Sequence, residues 1–139
     1  SAVGNPNIGF MVDTWDWAIG EGGMDQLGEV AGSDIVAVRL GSVADDADPS
    51  KATRVDCVLP VGEGSMNHVS VVKQLLASGF DGPISPAASS TRYTGQTREN
   101  TVKESQEAID GICKEAGIEV KPLPMDLIEE MPSEPMPTA

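Results

Sequence analysis

Aromatic side chains are nearly missing from this sequence: two Trp, one Tyr and two Phe in 139 residues. A core with so few rings has to be filled by aliphatic and small side chains. Cysteine is equally scarce. Cys57 and Cys113 stand far apart in no metal-type spacing, which favours two buried free thiols in a reducing compartment over a bridge. No apolar run approaches a membrane span of about 20 residues, and the N-terminus lacks the charged-then-apolar order of a secretory signal. The expectation is a soluble, cytoplasmic protein without a membrane partner. Positive charge is the last shortage. Nine Lys and Arg against twenty-two Asp and Glu give a net charge of −13. Such a field repels phosphodiester backbones and anionic lipid, which argues against a nucleic-acid partner. There is also no Gly-x-Gly-x-x-Gly after a strand and no Gly-Lys-Ser/Thr loop, which weighs against a nucleotide-binding domain.

What remains is one domain's length of chain with a clear hydrophobic pattern. Ile8 to Val12 is a short continuous apolar run after Asn5-Pro6-Asn7 and reads as a buried strand. Ile35 to Leu40 is a second, rich in β-branched residues, Val55 to Pro60 a third and Ile84 to Ala87 a fourth. Met24, Leu27 and Val30 recur at helical spacing, with Gly32 as a stop. Asn67 caps a helix that turns Val69, Val72, Leu75 and Leu76 inward and ends before Gly79. A last helix over about 97–116 carries Val102, Ile109, Ile112, Cys113 and Ala116 on one stripe, with Gly117 after it. The segment DDADPSKATR reads as a long polar loop. These elements occupy a domain over 1–118. Residues 119–139 form a Pro-, Met- and Glu-rich tail, extended, whose first part is expected to dock through Met125, Leu127 and Ile128.

Strands separated by helices predict an α/β fold with a parallel sheet. In such sheets function collects where strands end. The first strand runs into Asp13-Thr14-Trp15-Asp16-Trp17. A carboxylate there either holds a divalent cation beside an indole-walled, sugar-sized pocket, or caps a turn while the tryptophans pack at the rim. Arg39, the lone charge in the second strand, either clamps an anion or pairs with Asp13 or Asp16. Glu63, between Gly62 and Gly64, sits on a tight loop that either approaches a ligand or is only a turn. Three helices cover four parallel strands poorly, so something else has to cover the rest.

The order of these pieces is recognisable. IGFMVDTWDW, then DIVAVRL, LPVGEGSMN and SGFDGPIS, resembles the C-terminal half of xylose-isomerase-like (β/α)₈ barrels. These belong to the sugar phosphate isomerase/epimerase and endonuclease IV superfamily. The likeness runs from about Asn7 to Ala116. It implies half of a TIM barrel, its fifth to eighth strands, completed by self-association as a homo-oligomer or by an N-terminal half. In active relatives it implies a divalent metal (Mn, Mg, Zn or Co) held by two glutamates, an aspartate and a histidine. Asp13 matches the aspartate and is the one metal-ligand candidate. Arg39 stands where the histidine belongs, and Ala87 where the last strand's glutamate belongs. Asp16 replaces the histidine of Asp-x-x-His, Cys57 replaces the arginine before Leu-Pro, and His68 matches no ligand position. No metal cofactor is therefore expected in this chain. Trp15, Asp16, Arg39 and Glu63 are the candidates for contacts to a sugar or sugar phosphate. Two functions stay open: an isomerase/epimerase-like protein with weak or no inherited activity, and a non-catalytic binding or assembly module forming a half-barrel dimer.

Overall fold

Asp13 changes role within one residue. It ends strand β1 (Phe10–Asp13) in extended conformation, and its carboxylate caps helix α1 (Thr14–Ile19), accepting from the Trp15 and Asp16 amides. The structure, a computed structural model, describes residues 4–61 and 66–120. After α1 comes a second short helix, α2 (Met24–Gly28), then a 3₁₀ turn (Gly32–Asp34) leading into β2 (Ile35–Leu40). A two-residue strand β3 (Ser42–Val43), a 3₁₀ turn (Arg54–Asp56) and β4 (Cys57–Val58) follow. Helix α3 (His68–Ala77), strand β5 (Ile84–Pro86), a 3₁₀ turn (Ser90–Tyr93) and helix α4 (Arg98–Glu115) complete the order.

The parallel sheet has three strands in the order β1-β2-β5. Met11 pairs with Ala37 and Asp13 with Arg39, while Arg39 pairs with Ser85 and Leu40 with Pro86. Alternation along β2 sends Val38 and Leu40 to the helix side, where they are fully buried. There they join Val71, Val72 and Leu75 of α3, Ile112 of α4, Leu27 and Phe80 in one aliphatic core. Ala37 and Arg39 point the other way, toward what would be the inside of a barrel. The two long helices follow their caps: Asn67 accepts the Ser70 amide at 2.9 Å and Thr97 the Asn100 amide at 3.2 Å.

Several expectations about the elements are corrected. Val55 to Pro60 does not join the parallel sheet. Thr53 and Asp56 form a reciprocal capping box that winds residues 54–56 into a 3₁₀ turn and leaves Val55 half exposed. Only Cys57–Val58 is extended, antiparallel to Ser42–Val43. The barrel strands among the described residues are therefore three, not four. The helix expected to run on to Val30 ends at Gly28, and the stretch after β1, to which the sequence pattern assigns no helix, holds α1. Leu76 and Val102, placed on inward stripes, are exposed. Val102 lies with Ile84 and Pro86 in a groove along β5, an edge unpaired among the described residues. The β1 edge is likewise unpaired and exposes Ile8, Phe10 and Met11. No described helix is long and apolar enough to cross a membrane. From Lys121 onward the tail, and with it Met125, Leu127 and Ile128, lies outside the described residues.

Candidate functional site at the C-terminal strand ends

The three parallel strands deliver Asp13, Arg39 and Ser85 to one rung at the C-terminal rim. Asp13 is committed on both oxygens. Its Oδ1 accepts the Trp15 amide at 3.0 Å and the Asp16 amide at 3.3 Å. Its Oδ2 lies 3.8 Å from Nε of Arg39 and 3.8 Å from Nη1 of Arg54. Of the two readings open for Asp13 and Arg39, the structure therefore shows a cap and an ion pair. Arg54 extends the cluster, since its Nη2 donates to both oxygens of Asp16, at 3.0 and 3.2 Å. The same guanidinium lies 4.6 Å above the centre of the Trp15 ring.

The two tryptophans have separate fates. Trp15 is 2% exposed and packs with Val43, Cys57 and Ala87 in a second, smaller core beneath the rim. Its indole N–H is buried with no hydrogen-bond partner among the described residues. Trp17 is half buried on the β1 side, where its N–H donates to Gln26 Oε1 at 2.7 Å. It lines a cavity of about 420 Å³ with Phe10, Met11 and Val12. Gly22 lets this ring lie flat, because a Cβ there would fall inside the indole.

A polar cleft of about 480 Å³ opens at the rim between Arg39, Arg54, Cys57, Ala88, Ser89 and Ser90. Cys57 forms its floor, 3% exposed, with Sγ 3.7 Å from the Ala87 carbonyl oxygen. Burial, and then the charge of Asp13, push its thiol above the ordinary cysteine range, so it is a neutral packing group and not a thiolate nucleophile. Gly41 runs past at close range: a Cβ there would press on Cys57 Sγ, the Ala87 carbonyl and the Trp15 side chain. Arg92 braces the outside of this wall, donating from Nε to the Val55 carbonyl at 2.8 Å and from Nη2 to Asp56 at 3.1 Å. Hydrogen bonding from the Thr53 amide, opposed by some desolvation and helped by Arg92, holds the Asp56 carboxyl below its usual range.

Just behind the rim lies a buried polar node. His68 is fully buried; its Nδ1 is 2.7 Å from the Val61 carbonyl, and its Nε2 is 3.0 Å from Thr14 Oγ1 and 3.2 Å from the Gly41 carbonyl. The Gly41 amide donates to Thr14 Oγ1 at 3.0 Å. Nδ1, with only the Val61 carbonyl against it, carries a proton. Nε2 meets both the Thr14 hydroxyl and the Gly41 carbonyl, and in the neutral ring it accepts from that hydroxyl, which also lies 3.1 Å from the Gly41 carbonyl. Desolvation holds the His68 pKa below its ordinary value, against the opposing effect of its two carbonyl partners.

Of the sequence-predicted residues, Asp13, Trp15, Asp16 and Arg39 come together at this rim, and Glu63 lies outside the described residues. Sequence reasoning missed Arg54, Ser89 and Ser90. Arg54 belonged to a loop that looked merely polar, although Thr-x-x-Asp around it is a turn-initiating signature. The residues do not fit a divalent metal. Among those described, no group of three or more His, Cys, Asp or Glu is arranged to hold an ion. Asp13 has two guanidiniums against its outer oxygen, and Ala87 offers no ligand atom.

A family model described as xylose isomerase-like TIM barrel matches residues 1–120. Among solved structures, a xylose isomerase domain protein from Alicyclobacillus acidocaldarius subsp. acidocaldarius superposes with a TM-score of 0.69 at 24% identity, over 84% of this chain and 40% of that one. The IOLI protein with a bound zinc atom gives 0.70 at 19% identity, over 81% and 40%. A xylose isomerase-like TIM barrel/4-hydroxyphenylpyruvate dioxygenase fusion protein gives 0.66 at 17% identity, over 87% and 20%. The chain thus spans about two fifths of the first two and one fifth of the third. Curated protein sequences yield no match.

Proposed function

The chain belongs to the xylose isomerase-like TIM-barrel family, and from that premise we propose a sugar isomerase/epimerase-like barrel segment that has lost metal-dependent chemistry. Its rim holds a small sugar or sugar phosphate, with weak or no isomerase turnover. The observation that carries this reading is the Asp13–Arg39 rung. Where relatives use a metal to polarise a substrate's carbonyl and hydroxyl oxygens, this chain has a guanidinium paired with the aspartate. Asp13 orients Arg39 and Arg54, and Arg54 covers Trp15, so the rim offers fixed hydrogen-bond donors in place of a Lewis acid. Elemental analysis of purified protein is expected to find no stoichiometric Mn, Mg, Zn or Co. About one tightly held ion per chain would overturn the reading.

A second reading, an assembly module, is favoured by the two parallel edges that are unpaired among the described residues, each with an exposed apolar side chain beside it. A homodimer of the described strands brings six parallel strands together, whereas an N-terminal portion with about five more completes the usual eight. Light scattering is expected to show a dimer or a hetero-complex, and a well-folded monomer across a wide concentration range would count against it. A cytoplasmic location goes with both readings.

A further inference from the structure

Only nine of the 139 residues are Lys or Arg, in a protein of net charge −13, yet two of them converge on one concave cleft at the strand ends. Among the described residues, the lining of that cleft carries no carboxylate. Asp13 and Asp16 stand at the sides of the guanidiniums, positioning them, while the cavity meets Arg39, Arg54, Ser89, Ser90, Ala88 and the neutral thiol of Cys57.

The two arginines are prepared differently. Arg54 stands over Trp15 and donates from Nη2 to both oxygens of Asp16, with Nη1 too far from Asp13 for a hydrogen bond. Arg39 is unsatisfied. Its Nε stands 3.8 Å from Asp13, and its guanidinium makes no hydrogen bond among the described residues, although the side chain is 42% exposed. Ser90 is exposed and its hydroxyl makes no hydrogen bond among the described residues, and that of Ser89 is held by Thr91 at 2.6 Å. A planar fork with free donors, a second cation held by Asp16 and a hydroxyl match a tetrahedral oxyanion. The volume of about 480 Å³ leaves room beyond a phosphate for a pentose- or hexose-sized body.

We propose that the cleft bounded by Arg39, Arg54, Ser89 and Ser90 is a phosphate subsite that takes the phosphate group of a small phosphorylated ligand. Arg39 makes the bidentate contact, Arg54 supplies the second charge and Ser90 a hydroxyl donor. This rests on reading the rim as the ligand site, and it adds what the site recognises.

The test is an NMR titration of the full chain with inorganic phosphate, ribose 5-phosphate and ribose, repeated in R39Q and R54Q, with K103Q as a distant control. Saturable phosphate binding in the millimolar range is expected, with shifts at the Arg39 and Arg54 side chains and at the Ser89 and Ser90 amides. R39Q should weaken it about tenfold or more, R54Q comparably, and K103Q not at all. No saturation by about 50 mM phosphate, or an R39Q affinity equal to that of the parent while its fold is intact by circular dichroism, overturns the subsite. Phosphate binding at Arg39 with no tighter hold on ribose 5-phosphate keeps the subsite and removes the sugar reading. Ribose binding without phosphate binding does the reverse.

Discussion

Two polar clusters lie next to each other behind the same strand ends, and they are built on opposite principles. In the Thr14–His68–Gly41 node every donor meets an acceptor, and both side chains are fully buried. In the Asp13–Arg39–Arg54–Asp16 cluster the charges are balanced, all but Asp13 are about half exposed, and one guanidinium has donors to spare. The first arrangement is what a fold needs, since a buried polar group without a partner costs about 1–3 kcal/mol. The second contributes little to stability and keeps hydrogen-bonding capacity free, which is what a binding surface needs. The chain's lone histidine serves the structure, and Arg39, where the resemblance places a histidine ligand, faces the cleft.

This contrast can be broken most directly at His68. Replacing it with alanine removes a buried ring and three polar contacts, and is expected to lower unfolding free energy by about 2–4 kcal/mol in urea denaturation. If H68A unfolds no more readily than R39Q, the distinction between the clusters is wrong. T14V comes next, at about 1–3 kcal/mol, because the Gly41 amide loses its acceptor and His68 Nε2 its donor. T14S should recover most of that loss.

Acid should separate the clusters as well. The folded-state pKa of His68 lies below its ordinary 6.5, so the unfolded chain takes up the proton first as pH falls. The node's contribution is thus fully present above about pH 6.5 and is lost on acidification toward the lower folded-state value, by at most about 1.4 kcal/mol per pH unit. Urea midpoints between pH 8 and pH 5 should show this slope in the parent and a shallower one in H68A. R39Q carries the smallest stability effect, within about 1 kcal/mol, since it breaks only a 3.8 Å contact from a partly exposed guanidinium and leaves Asp13 its contact to Arg54 and its two amide donors. A larger loss would mean that Arg39 is a structural residue after all.

How much of this was legible depended on whether the signal was local. Ile35 to Leu40, with one charge in a β-branched run, announced both the strand and the position of Arg39. Asn67 with Gly79, and Thr97 with Gly117, bracketed the two long helices because caps and stops are short-range chemistry. The family resemblance supplied the barrel and the pattern of missing ligands. What failed was set by competition or distance. Val55 looked like a strand residue, but the Thr53–Asp56 box claimed the backbone first. Asp13 served a strand and a helix at once, so the six-residue α1 behind it went unread. Arg54 reaches Asp16 across 38 positions and His68 reaches Thr14 across 54, separations at which no periodicity or spacing carries information.

The register of the central strand gives the rim a second consequence. Sliding β2 by one residue would turn Arg39 into the aliphatic layer beneath α3 and α4 and lift Val38 and Leu40 out of it. A single guanidinium set among valines and leucines thereby acts as a tooth that lets the strand seat in only one notch, the one that aligns Asp13, Arg39 and Ser85.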